Sequence, residues 1–187
     1  MKLYLIRHGE SESNAADLWT GWLDAPLTEK GIEDAKRARP FLEGISFDKI
    51  YASDLIRACQ TAQTAIPGCD PEKTSLLREI NLGSLAGTPR SNTPKDIKAL
   101  IAQGYTELGG ESREEFKSRL RQFLTMLEQQ EFETVAAFAH AGCLMSILDE
   151  LVGFKIPRSA MRCNNCCIAV FEYNGDNWAL HSWINTQ

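Results

Sequence analysis

Two of the three histidines in this 187-residue chain stand directly after apolar runs. His8 follows "KLYLIR" and His140 follows "TVAAFA". Arg7 stands beside the first histidine, and Arg57 lies just beyond a third such run, "KIYAS". Short apolar runs bounded by polar residues read as buried strands. In an open α/β sheet, ligands gather at the carboxyl ends of the strands. Imidazole and guanidinium groups collected at that edge make a small, local basic pocket. A chance arrangement would scatter them over helix surfaces instead.

The elements that must position these groups are legible. Strands are predicted at Leu3–Arg7, Lys49–Ala52, Val135–Ala139 and Ile168–Tyr173, and "EYNGDNWALHSWI" reads as a closing hairpin with Asn174-Gly175 at its turn. Helical spacing of Ile32, Ala35, Ala38, Arg39 and Leu42 predicts a helix from Thr28 to about Glu43. Ser53 or Asp54 would cap another helix, stopped near Ile66 by Pro67-Gly68. Ser112 and Glu115 form a capping-box pattern. It opens a helix to about Gln130, with Phe116, Leu120, Phe123, Leu124 and Leu127 in one stripe. Gly142 to Leu151 reads as a further helix, ended by Gly153. Alternating strands and helices predict an α/β three-layer sandwich, a mainly parallel sheet with helices on both faces. One domain over residues 1–187 is expected. The Gly- and Pro-rich stretch 83–110, with a short helix around 95–103, reads as a cap insertion.

Composition narrows the function classes. A net charge of −5 argues against a broad surface for nucleic acid or anionic membrane. No run is long and apolar enough for a spanning helix, and no signal-peptide pattern opens the chain, so a cytoplasmic protein is expected. The six cysteines are then expected to be reduced. "CNNCC" at residues 163–167 contains one C-x-x-C, but there is no second pair and no histidine pair at zinc-finger spacing. It precedes a strand rather than opening a helix, so buried small residues are the preferred reading over metal or redox chemistry.

The motifs "LIRHGES", "PLTEKG", "ASDLIRACQTA", "LLREINLG", "GGES" and "AHAGC" follow one another along nearly the whole chain. Together they resemble the histidine phosphatase superfamily, the phosphoglycerate-mutase-like group. That resemblance implies roles. His8 would be the nucleophile, forming a phosphohistidine that water hydrolyses. Its other ring nitrogen needs a hydrogen-bond acceptor, expected to be a carbonyl near Gly9. Gly9 itself would let the chain approach the phosphate closely. Arg7 and Arg57 would clamp phosphate oxygens with their guanidinium forks, and His140 would add a donor, cationic when phosphate is bound. Glu79, in "L-x-E-x-x-x-G", would be the general acid and later activate water. Ser11, Asn14, Thr20, Gly21 and Ala141 would bind substrate, with Trp19 and Trp22 as pocket walls. Taken singly, His8 would be a core histidine, Arg57 a solvated helix-surface residue or an ion-pair partner of Asp54, and Glu79 an exposed loop carboxylate. The set reverses these readings.

Because the positive charge comes from Arg and His, neither a metal nor any other cofactor is expected. The expected partner is a small phosphorylated substrate, with oligomeric state left open. Within the resemblance, hydrolysis is favoured over mutase chemistry. The cap stretch is short, Ala141-Gly142 follows His140 where mutases have Gly-Asn, and Leu85-Ala86 replaces an acidic or aromatic pair. Substrate candidates are α-ribazole phosphate, a sugar phosphate or a phosphohistidine protein, read by Arg90, Lys95, Lys98 and Tyr105. Phosphoglycerate-mutase-type transfer and a non-catalytic phosphate-binding protein are the alternatives. Cys143, at the start of a helix, is a candidate for a thiol of lowered pKa.

Overall fold

The computed structural model describes residues 1–93, 97, 102–151, 153, 156 and 161–186. Its centre is a six-stranded sheet: β1 (Lys2–Arg7), β2 (Lys49–Ser53), β3 (Glu72–Thr74), β4 (Thr134–Ala139), β5 (Ile168–Tyr173) and β6 (Trp178–Ile184), in the order β3-β2-β4-β1-β5-β6. The first four neighbours run parallel, while β5 and β6 are antiparallel additions at one side. The Asn174-Gly175 turn joins them as expected, with the Asn174 side chain accepting from the backbone of Asp176 and Asn177. The short β3 was not legible, because "EKT" is exposed and carries no apolar alternation.

Period-two alternation sorts the strand residues onto two faces. Leu3, Leu5, Val135, Ala137, Ala169 and Phe171 pack with α4 (Arg113–Glu128) and α5 (Ala141–Leu151). On the other face, Ile6, Ala136, Phe138, Ile168 and Val170 pack with α3 (Ile56–Ala65), which α2 (Glu29–Ala38) adjoins. These are the three layers that the alternation of elements predicts. A four-residue helix, α1 (Glu12–Ala15), follows β1.

Local chemistry sets the helix ends. The Ser112–Glu115 capping box starts α4 as read. Thr28 caps α2, which ends at Ala38 because Pro40 forces a tighter 3₁₀ turn, short of the expected Glu43. Neither Ser53 nor Asp54 caps α3. Its N-terminal residue Ile56 donates to Asp24 Oδ1 at 2.7 Å, a partner 32 residues away. The helix expected around 95–103 falls mostly outside the described residues, as do Lys95 and Lys98. The described part of stretch 83–110 holds three 3₁₀ turns and loops, with residues 97, 102 and 103 helical, and is anchored where Trp19 and Gly87–Thr88 exchange backbone hydrogen bonds.

Phe138 lies on β4 between two parallel neighbours and is fully buried. Phe138→Ala should destabilise the protein by about 3–5 kcal/mol, the cost of an unfilled aromatic cavity. Chemical denaturation would measure it through the midpoint at unchanged slope.

Candidate active site

Register brings the two histidines together. Arg7 pairs with Ala139 across β1 and β4, so the next residue on each strand, His8 and His140, leaves the sheet at the same edge. Their ring centroids are 5.1 Å apart, and both side chains are buried. His8 Nδ1 lies 2.6 Å from the Gly9 carbonyl oxygen, which can only accept, so Nδ1 carries the proton and Nε2 is left with its lone pair. Burial holds the His8 ring well below its ordinary pKa of 6.5, and the Arg57 and Arg7 charges push the same way. His140 is held down by burial first and then by Arg57 and His8. Both rings are therefore held in the neutral form at neutral pH.

Arg57 enters from the first turn of α3 and has no exposed surface. Its two terminal nitrogens donate to the Leu23 and Gly21 carbonyls at 2.8 and 2.9 Å. Burial brings its pKa down to about 10, opposed by Glu79 and Asp24, so it stays charged at neutral pH. Asp54 is not its partner; Asp54 takes a bidentate pair from Arg78 at 2.7 and 2.6 Å. Arg7 donates to the Cys163 carbonyl. Five buried side-chain nitrogens among the described residues lack a hydrogen-bond partner. Four of them are Nε of Arg7, Nε of Arg57 and both ring nitrogens of His140. Buried polar groups are normally satisfied, at a cost of about 1–3 kcal/mol each when they are not. Their concentration around His8 marks a site for an anion.

A cavity of about 1110 Å³ opens over this cluster, lined by Arg7, His8, Asn14, Thr20, Gly21 and Arg57. Glu79, Ala141, Gly142 and Tyr105 belong to the same lining. Glu79 Oε2 accepts from the Gly142 backbone at 2.9 Å, at the N-terminus of α5, and Oε1 accepts from Ile80 at 2.9 Å. Trp19 and Arg90 line the cavity too, stacked at 4.6 Å. Among the described residues no group of three or more His, Cys, Asp and Glu side chains is placed to hold a metal ion. Likewise, no described helix is long and apolar enough to cross a membrane.

Several expectations need correction. Ser11 is fully buried and does not line the cavity; its hydroxyl caps α1, with Asn14 returning the bond to its backbone. Trp22 is not a wall either. Its indole donates to the Glu79 carbonyl at 2.6 Å and stacks beneath the Arg78 guanidinium. Gly9 serves packing rather than ligand approach: a Cβ there would sit 2.3 Å from the Gly31 carbonyl oxygen. Cys143 is not an activated thiol, since burial pushes its pKa well up and its Sγ donates to the Leu77 and Arg78 carbonyls. The "CNNCC" segment brackets the site from behind. The Cys167 carbonyl accepts from Arg7 N, and Asn165 Nδ2 donates to the His8 carbonyl at 3.0 Å. Sequence reasoning missed that role because its partners are backbone atoms, which leave no residue signature.

The family model of the histidine phosphatase superfamily (branch 1) matches residues 3–186. The chain belongs to this superfamily. It is 32% identical over 161 residues to the adenosylcobalamin/alpha-ribazole phosphatase of Salmonella typhimurium (strain LT2), covering 81% of this chain and 80% of that one. Its identity to the protein of the same name from Escherichia coli (strain K12) is 28%, over 93% and 91% of the two chains. The crystal structure of phosphoglycerate mutase from Thermus thermophilus superposes with a TM-score of 0.79 at 28% identity, over 99% of each chain. The fold is therefore phosphoglycerate mutase-like, and both hydrolytic and mutase relatives share it.

Two consequences of the histidine phosphatase geometry are measurable. A Cβ on Gly142 would lie 2.0 Å from Glu79 Oε1. Gly142→Ala should therefore displace that carboxylate; if Glu79 takes part in the reaction, turnover of a phosphate ester should fall about 10²-fold, the cost of moving a reacting group by about 1 Å. Its melting temperature should stay near wild type. The second consequence concerns pH. His8 and His140 have folded pKa values below 6.5, so on acidification the unfolded state takes up protons first. Stability should fall as pH drops below about 6.5, and His140→Asn should flatten that dependence in denaturant titrations at pH 7.5 and 5.5.

Proposed function

We propose that this histidine phosphatase hydrolyses a small phosphomonoester without a metal, through a phosphohistidine at His8. The observation that carries the reading is the neutral His8 ring, its Nδ1 tied to Gly9, surrounded by unpartnered nitrogens of Arg7, Arg57 and His140. Nε2 attacks phosphorus as the bond to the leaving oxygen breaks. The Nδ1 contact to the Gly9 carbonyl supports the imidazolium charge that the N–P bond creates. Arg7 and Arg57 hold the phosphate oxygens, and His140 donates to the same group and becomes cationic against its charge. Glu79 passes a proton to the leaving oxygen. In the second half, Glu79 takes a proton from water as it attacks phosphorus, and the N–P bond breaks to return neutral His8. Asn14, Thr20, Gly21 and Ala141 shape the floor that receives the phosphate.

Hydrolysis is favoured over mutase chemistry by the Ala141-Gly142 pair after His140 and by Leu85-Ala86 in place of an acidic or aromatic pair. The named phosphatase relatives agree with that choice. α-Ribazole phosphate heads the substrate list, followed by sugar phosphates, and cytoplasmic action on a soluble metabolite fits this chemistry. Phosphate release from 4-nitrophenyl phosphate should persist in chelator and fall at least about 10³-fold in His8→Ala, since loss of a nucleophile removes the covalent route. Acid-quench of wild type should trap label from ³²P-substrate on His8. Interconversion of 3- and 2-phosphoglycerate without phosphate release would establish the mutase reading instead. Tight phosphate binding with neither activity would make the protein a phosphate-binding module.

A further inference from the structure

Glu79 sits on a segment, residues 78–82, that has no regular secondary structure. A general acid must nevertheless be held to within a fraction of an ångström. Arg119, on α4, reaches this segment from below. Its Nη1 donates to the Leu76 and Arg78 carbonyls at 2.9 and 2.8 Å, and its Nη2 to the Glu79 carbonyl at 2.9 Å. Nε and Nη2 also bind the two oxygens of Glu111 at 2.8 and 2.9 Å. A guanidinium has five N–H donors, and here all five are used. Arg119 does not line the cavity, so it has neither the position nor a spare donor for substrate. Glu111 closes the frame. Its Oε2 accepts from Asn81 N at 2.8 Å, and its own backbone N–H donates to the Asn81 carbonyl at 2.9 Å. The pair is largely buried, each side chain retaining 14% of its exposure.

We propose that Arg119, with Glu111 as its counter-ion, is the positioning residue for the Glu79 carboxyl group. The inference rests on Glu79 serving as the general acid. Three of the four backbone carbonyls from Leu76 to Glu79 end on one planar group, which fixes the chain direction at Glu79. The side chain is then completed by Gly142 and Ile80. Lysine cannot substitute, because a single ammonium offers three donors from one point and no planar fork.

Leaving-group dependence separates this role from a structural one. Phenolate from phenyl phosphate needs protonation far more than 4-nitrophenolate does. Loss of a well-placed acid should therefore depress kcat/KM for phenyl phosphate much more than for 4-nitrophenyl phosphate. Glu79→Gln sets the scale. Arg119→Met and Arg119→Lys are expected to lower kcat/KM for phenyl phosphate about tenfold more than for 4-nitrophenyl phosphate, part of the range of acid catalysis. Inhibition by inorganic phosphate should be unchanged. Glu111→Gln keeps the shape of the frame, removes its charge and should give the same bias more weakly; it decides the matter if the Arg119 variants do not fold. Equal losses for both substrates in the Arg119 variants, beside a clear bias in Glu79→Gln, would overturn the positioning role and leave the acid in place. Equal losses in Glu79→Gln itself would remove the acid assignment, and the inference with it.

Discussion

A guanidinium charge with no exposed surface governs this site. Arg57 is wholly buried, and a buried charge is costly unless neighbours compensate it. The Gly21 and Leu23 carbonyls supply two acceptors, and Glu79 and Asp24 supply opposing charge. Each of these partners then has its own consequence. The 20–24 loop is drawn onto Arg57, which carries Trp22 to the Glu79 carbonyl and Asp24 to the N-terminus of α3. Burial holds His8 and His140 well below their ordinary pKa, and the Arg57 charge adds to it. A neutral ring keeps the Nε2 lone pair on His8, and the same Arg57 charge that orders the 20–24 loop contributes to that state.

The segment that carries Glu79 is built differently from the histidine edge. Glu79 belongs to no helix or strand, and its position comes from four separate supports: Arg119, Trp22, Gly142 and Ile80. The histidine side draws its precision from the sheet, where parallel pairing of β1 and β4 places both rings. The acid side draws it from side-chain donors directed at backbone carbonyls. Side-chain packing from α4 and α5 joins the two through one continuous core.

Behind His8, the segment preceding β5 folds back toward the ends of the parallel strands. It places a cysteine carbonyl on each of two Arg7 donors and an asparagine amide on the His8 carbonyl. The small thiols of Cys166 and Cys167 are buried there, and burial raises the Cys166 pKa to about 12. They are packing groups at neutral pH, which agrees with their reading as buried small residues.

The sequence by itself determined the chemistry and the edge of the sheet on which it stands. Strand periodicity is local, and a histidine that ends an apolar run must leave the sheet at its carboxyl edge, so His8 and His140 were placed by pattern alone. Arg57 and Glu79 were legible through spacing and family resemblance, as was the capping box at Ser112. Tertiary structure decided which groups touch. Asp24 capping α3, Arg78 taking Asp54, Gly9 packing on Gly31 and Arg119 gripping the Glu79 segment all join residues at least about 20 positions apart in the chain. Most of these contacts end on backbone carbonyls or amides, which every residue carries. Such partners have no side-chain identity for a sequence to display, and only the folded chain brings them within hydrogen-bond reach.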